Sequence, residues 1–157
     1  LRSLALDDLG LSGALEQLIN EEKVRCDWED AELVHNIGDY RFDKTLETGA
    51  YRIAQEALTN IRKHADARRV QMVLLLEEDA HGELKLHLQI RDWGKGFDAN
   101  VQASRAAHAG MSGIGLQGMS ERAQLLGGTL TIRSTPGHGS TVTATLPVIF
   151  ADDEENS

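Results

Sequence analysis

A carboxylate followed by two closely spaced glycines, Asp92-Trp93-Gly94-Lys95-Gly96-Phe97, ends an apolar stretch of this chain, and a second glycine pair, Gly113-Ile114-Gly115-Leu116, opens a helical pattern. The first arrangement allows a tight turn beside a side chain able to accept from an amine. The second offers backbone amides at a helix start, where anions bind well. An amine acceptor with a phosphate cradle further on suggests a site for a purine nucleotide.

Asp92 continues the alternating phase of Leu84, Leu86, Leu88 and Ile90, so it is expected to point toward the core. A carboxylate there is costly unless it has donors to accept from. The exocyclic amine of adenine, helped by a water, would satisfy it; so would a cap on the Gly94–Gly96 turn. The residues leave both open. Ser140 shares the phase of Val142, Ala144 and Leu146, which places a second polar group inward, although buried serines often bond only to backbone.

Glu56, Asn60 and Lys63 fall within about 60° of one another on a helix, well round from its apolar stripe. A solvated face is the plain reading. The sharper one is a magnesium-nucleotide site, with an amide oxygen as a hard neutral ligand for Mg²⁺. Lysine would neutralise phosphate charge, and the carboxylate would orient or deprotonate an attacking group. His64 falls toward the apolar stripe, as a packed histidine would.

Gly113-Ile114-Gly115-Leu116-Gln117-Gly118 matches the dinucleotide fingerprint literally, but context rejects that match. It follows a loop rather than a strand, no parallel crossover strand follows, and position 138 is histidine rather than an acid. Arg105 and His108, in the long stretch before it, are candidates to close over phosphates or are simply solvated.

The elements that must position these residues follow from periodicity. Leu9, Leu11, Leu15, Leu18 and Ile19 suggest a short helix from about Ser12, and residues 24–42 read weakly as one or two strands. Within that stretch Cys26 alternates with Val24 and Trp28, as a buried structural cysteine would. A helix is predicted over 43–65, with Ile53, Ala54, Ala57, Leu58, Ile61 and Ala65 on one stripe. Val70 to Leu76 and Leu84 to Ile90 alternate as a hairpin turning near His81-Gly82. Residues 98–112 have no clear period and read as a long loop. A helix from Leu116 to Leu126 stops at Gly127-Gly128, and strands at about 129–134 and 140–147 flank the turn Pro136-Gly137-His138-Gly139. The expected fold class is α+β, a two-layer sandwich.

At 157 residues the chain has the size of one domain, with 41% hydrophobic and 26% charged residues. A net charge of −9 argues against general nucleic-acid binding. Part of that charge lies in Asp152-Asp153-Glu154-Glu155, read as a disordered acidic tail. The single cysteine fits a reducing compartment, and the six histidines lack paired metal-ligand spacing, so no zinc site is expected. No apolar run approaches the roughly 20 residues of a membrane span. A first residue of Leu rather than Met is expected of a piece of a longer protein.

Taken together, these residues resemble the ATP-binding catalytic domain of sensor histidine kinases, in the superfamily shared with gyrase, heat-shock chaperone and mismatch-repair ATPases. The resemblance covers about residues 45–147. The N box is similar to Glu56-Ala57-Leu58-Thr59-Asn60-Ile61-Arg62-Lys63-His64, the G1 box to Asp92–Phe97, and the G2 box to Gly113–Leu116. The closing Gly139-Ser140-Thr141 fits as well. Gly118-Met119-Ser120-Glu121-Arg122-Ala123 and the lead-in Leu1-Arg2-Ser3-Leu4-Ala5-Leu6-Asp7-Asp8-Leu9-Gly10-Leu11 resemble the kinases related to nitrate/nitrite sensors.

The resemblance implies the Bergerat fold, a mixed and mostly antiparallel sheet covered on one face by helices. It implies a division into a lead-in from the dimerisation domain (1–22), the ATP-binding catalytic domain (23–148) and an acidic tail (149–157). Asn60 would hold Mg²⁺, Lys63 would contact phosphate, and Asp92 would recognise the adenine amine, with Gly94 and Gly96 allowing close approach. Gly113, Gly115 and Leu116 would form the hinge of a lid over the ATP. His64, Ser140 and Thr141 would complete the nucleotide contacts. Glu56 would act as a base, or serve only as part of a solvated face. The implied partners are a phosphoacceptor domain in a homodimeric parent protein and a response regulator. The expected location is cytoplasmic, with a parent that is membrane-anchored or free. None of the histidines sits in the Glu-Leu-His-Asp-like setting of an acceptor, so the acceptor is expected elsewhere. Alternatives are an anti-sigma-type serine kinase, against which the lead-in argues, and a non-catalytic ATP-binding switch module, against which the intact boxes argue.

Overall fold

The computed structural model describes residues 4–97 and 116–152. Helix α1 (Leu4–Cys26) buries Leu6, Leu11, Leu15, Leu18 and Ile19. It reaches back beyond the expected start at Ser12, in two segments parted by Gly10 at φ +73° and ψ −175°. It also runs through residues 24–26, where alternation had suggested a strand. Glu21, Glu22 and Lys23 are good helix formers and outweigh a three-residue alternation. Val24 is accordingly 83% exposed, and Cys26 is half-buried beside Glu22. Burial first, then the Glu22 charge and hydrogen bond, push the Cys26 thiol above its ordinary pKa. The helix gives way at Asp27, a left-handed residue at φ +54°. Of residues 24–42, Asp30–His35 form the first strand, β1.

Helix α2 (Lys44–Asn60) starts where the Asp43 carboxylate accepts from Thr45 N at 3.0 Å, an N-cap that satisfies one of the free amides of the first turn. Leu46, Ala50, Ile53, Ala54, Ala57 and Leu58 form its buried face. Arg41 clamps the start of this helix to α1. Its Nε lies 3.2 Å from Glu47 Oε2, and its Nη2 donates to Leu6 O at 3.0 Å. The Glu47 carboxylate is fully buried and also accepts from Phe42 N. Beyond Asn60 the helix widens into a π-helical turn, Ile61–Ala65, which ends at left-handed Asp66. The 43–65 helix of the sequence is therefore present, with a change of pitch that hydrophobic periodicity did not foresee.

Strands β2 (Arg69–Glu78) and β3 (Leu84–Asp92) form the expected hairpin, with Met72 opposite Ile90. Its turn is held by the Asp79 carboxylate, which accepts from His81 N and Glu83 N at 2.8 and 3.0 Å. Helix α3 (Leu116–Leu125) follows, stopped by Gly127 at φ +78°, and β4 (Thr129–Ser134) and β5 (Ser140–Pro147) close the sheet. The strand order is β1-β2-β3-β5-β4, with β1 parallel to β2 and the other pairs antiparallel.

One face of the sheet supplies Met72, Leu74, Leu86, Leu88, Ile90, Ala144 and Leu146 to a core shared with all three helices. The alternate positions Gln71, His87, Gln89 and Thr143 are only half-buried. This is the α+β two-layer sandwich expected, with a mixed, mostly antiparallel sheet covered on one face. Among the described residues no helix is long and apolar enough to cross a membrane.

Candidate functional site

A pocket opens where the π-helical turn meets the ends of β3, β4 and β5. Asn60, His64, Asp92 and Ser140 supply its polar groups, and Ile61, Ile90, Ile132 and Val142 are among its apolar walls. Phe97 and Leu116 complete one side. An apolar pocket with a few polar groups among its walls suits an aromatic base.

Asp92 stands at the end of β3, 2% exposed, directly opposite Ser140 in the β3–β5 register. Its Oδ1 accepts from Gly94 N at 2.8 Å, and its Oδ2 accepts from Ser140 Oγ at 2.5 Å. The two readings left open by the sequence are thus compatible. One oxygen caps the turn, while the same side chain lines the pocket beside a hydroxyl. A buried carboxylate held by two donors keeps lone pairs for a further donor.

The glycines have a steric reason. A Cβ at Gly94 would collide with the carbonyl oxygen of Ala65, which accepts from Lys95 N at 2.8 Å. Gly96, at φ +65°, packs on the backbone of Thr135 in the same way. Phe97 N donates to Ser134 Oγ at 2.8 Å, and Ser134 Oγ donates on to Gly139 O at 3.2 Å. The turn after β3 is therefore locked to both the π-helical turn and the β4–β5 turn. Behind it, on the open sheet face, the Arg69 and Arg91 guanidinium carbons lie 4.1 and 4.5 Å from the centroid of the Trp93 ring.

The other expected residues are distributed unevenly. His64 does not pack into the core; it is exposed at the pocket, because the wider π-helical turn shifts its phase relative to an α-helix. Glu56 is half-buried and Lys63 is exposed, and neither lines the pocket. Thr141 does not line it either: strand alternation sets it in a row with Arg91 and Arg133 while Ser140 faces in. Gly113, Gly115, Arg105 and His108 lie outside the described residues, whereas Leu116 is at the pocket edge. Among the described residues, no group of three or more His, Cys, Asp or Glu could hold a metal ion. A metal here would need a ligand such as the Asn60 amide together with oxygens brought by the nucleotide. Sequence reasoning missed Ser134, although it shares the inward phase of Leu130 and Ile132, the same signal that singled out Ser140. The Ala65 carbonyl, a backbone group, left no such signal.

Similarity to known proteins accords with this geometry. The chain is 35% identical over 150 residues to the signal transduction histidine-protein kinase/phosphatase DegS of Brevibacillus brevis, an alignment covering 94% of this chain and 35% of that protein. It is 34% identical over 153 residues to the oxygen sensor histidine kinase NreB of Staphylococcus carnosus, covering 94% and 39%. The chain thus spans little more than a third of the curated relatives it matches. In fold it is similar to the ATP binding domain of PrrB from Mycobacterium tuberculosis, with a TM-score of 0.64 at 20% identity, covering 88% of this chain and 93% of that one. It is also similar to the histidine kinase domain of a blue-light activated histidine kinase from Erythrobacter litoralis, with a TM-score of 0.62 at 17% identity, covering 85% and 59%. Residues 45–149, two thirds of the chain, match one family along their whole run, and the protein belongs to it: the histidine kinase-, DNA gyrase B- and HSP90-like ATPases.

Proposed function

We propose that this chain is the ATP-binding catalytic domain of a bacterial two-component sensor histidine kinase. The observation that carries the reading is the buried Asp92 carboxylate, bonded to Ser140 in a pocket with apolar walls. In this reading Asp92 accepts the exocyclic amine of adenine, and Ile90, Ile132 and Val142 flank the base. Gly94 and Gly96 keep the backbone close without side chains in the way. Asn60 offers its amide oxygen to Mg²⁺, Lys63 neutralises phosphate charge, and Glu56 orients or deprotonates the acceptor. His64, Thr141, Gly113, Gly115 and Leu116 complete the contacts and the lid hinge.

ATP supplies the γ-phosphoryl group, and the chain contributes mainly position and charge, as is general for phosphoryl transfer. The acceptor histidine belongs to a separate dimerisation domain of a homodimeric parent protein, and a response regulator then takes the group on an aspartate. Residues 1–22 are the lead-in, 23–148 the catalytic unit and 149–157 the tail, although α1 runs across the first boundary to Cys26 and, at the second, Asp43 N donates to Ile149 O and Ala151 N to Arg41 O. The location is cytoplasmic, and nucleic acid is not a direct partner. The names of the two curated relatives support the kinase reading over a serine kinase or a switch module. Calorimetric titration with a non-hydrolysable ATP analogue and Mg²⁺ tests it; a folded sample that binds nothing at millimolar ligand overturns it. Transfer of label from γ-labelled ATP to a separately made dimerisation domain tests the histidine acceptor.

A further inference from the structure

Glu22 on α1 and Arg62 in the π-helical turn meet behind the pocket. Arg62 Nε lies 3.5 Å from Glu22 Oε2, with 9% of the Glu22 side chain and 35% of the Arg62 side chain exposed. The same carboxylate holds Arg25 Nη1 at 3.2 Å and accepts from Cys26 Sγ at 3.6 Å. A carboxylate so far from water is costly unless paired. Its place on α1 is fixed by the neighbouring core residues Leu18 and Ile19.

Arg62 comes two residues after Asn60 and two before His64, both of which line the pocket. The turn therefore presents one side to the pocket and the other to α1. π-helical geometry is rare and is seen mostly as single turns at functional sites. Here it is held at both ends of its arc. Arg62 is pinned to Glu22, and the Ala65 carbonyl is pinned by Lys95 N at 2.8 Å.

We propose that Glu22 and Arg62 are positioning residues of the nucleotide site, and that their ion pair holds the π-helical turn so that Asn60 and His64 face the pocket. The proposal rests on the nucleotide reading of that pocket. It makes α1, which carries the lead-in, an element that acts on the site without touching the ligand. Neither residue contacts substrate, so the pair works only through the turn.

The test is calorimetry with a non-hydrolysable ATP analogue and Mg²⁺ on the whole chain, its Arg62→Met, Arg62→Lys and Glu22→Gln variants, and the Glu22→Gln/Arg62→Met double variant. Arg62→Met and Glu22→Gln should each weaken binding about fivefold. Arg62→Lys, which keeps the charge, should recover most of the affinity. The double variant should bind no worse than the weaker single one, since both break one link. Melting temperatures without ligand separate this from general destabilisation, and should not follow the order of affinities. If Arg62→Met does not fold, the nearly isosteric Glu22→Gln and the rescue by Arg62→Lys decide. Unchanged affinity in the folded variants, or fully additive losses, overturns the proposal while leaving the nucleotide reading intact. Absence of binding by the unsubstituted chain overturns both.

Discussion

Ser140 Oγ donates to Asp92 Oδ2 across the β3–β5 pair, 48 residues apart in sequence and opposite one another in the sheet register. Both residues line the pocket, and the bond fixes the orientation of the Asp92 carboxylate there. Ser140→Ala removes that orientation but leaves the carboxylate its bond from Gly94 N. Loss of one hydrogen bond to a charged group is worth about 1.5–3 kcal/mol at most. A loss of roughly tenfold in affinity for an ATP analogue is expected, about 1.4 kcal/mol, with the melting temperature changed little. Titration of the variant checks this.

Gly94→Ala tests the steric side of the same turn. The added methyl would meet the Ala65 carbonyl and Asp92 Oδ1, neither of which has room to yield. Overpacking of this kind costs about 1–3 kcal/mol. Urea unfolding should show that loss, and nucleotide affinity should fall with it because the turn and the π-helical segment are forced apart.

Arg41→Met is expected to destabilise the fold by about 2 kcal/mol, the range for losing hydrogen bonds to a charged group. It would take the guanidinium from the fully buried Glu47 and from the Leu6 carbonyl. Phe42 N still donates to Glu47, which keeps the loss below that of an unpaired buried charge. Urea midpoints measure it. A compensating Glu47→Gln on the Arg41→Met background should restore part of the stability.

The hairpin turn carries a pH dependence. Backbone donation from Glu83, then from His81, holds the Asp79 carboxyl below its ordinary value. A carboxylate depressed in the native state stabilises above its unfolded pKa and ceases to do so as pH falls through its native one. The protection of the His81 and Glu83 amides, measured relative to intrinsic exchange at each pH, should therefore be high at neutral pH and fall at acidic pH below the ordinary carboxylate range. In Asp79→Ala that acid-dependent step should be absent.

Much of this was legible from residue types. Strand phase placed Asp92 and Ser140 inward, since a period of two leaves each side chain only two directions. The apolar stripe located α2, and Gly127-Gly128 located the end of α3. His64 was misdirected because a phase of about 100° per residue holds only for α-helix. The π-helical turn depends on ties to Glu22 and Lys95 N, which are distant in sequence and invisible to a local pattern. Residues 24–26 went wrong for the opposite reason, a short alternation overruled by the helix it extends. Ser134 was legible by the phase argument that found Ser140; its role emerged only once the turns at Phe97 and Gly139 were seen together.

In the proposed function Asp92 reads an adenine amine in this pocket. Asp92→Asn keeps the size of the side chain but removes the charge and places an amide that can donate toward another donor. Side-by-side calorimetry of the unsubstituted chain and this variant, with a non-hydrolysable ATP analogue and Mg²⁺, is the most direct test. Clear binding by the first is expected, with a loss of at least about thirtyfold in the second, near 2 kcal/mol. Equal affinity in two folded samples would contradict it.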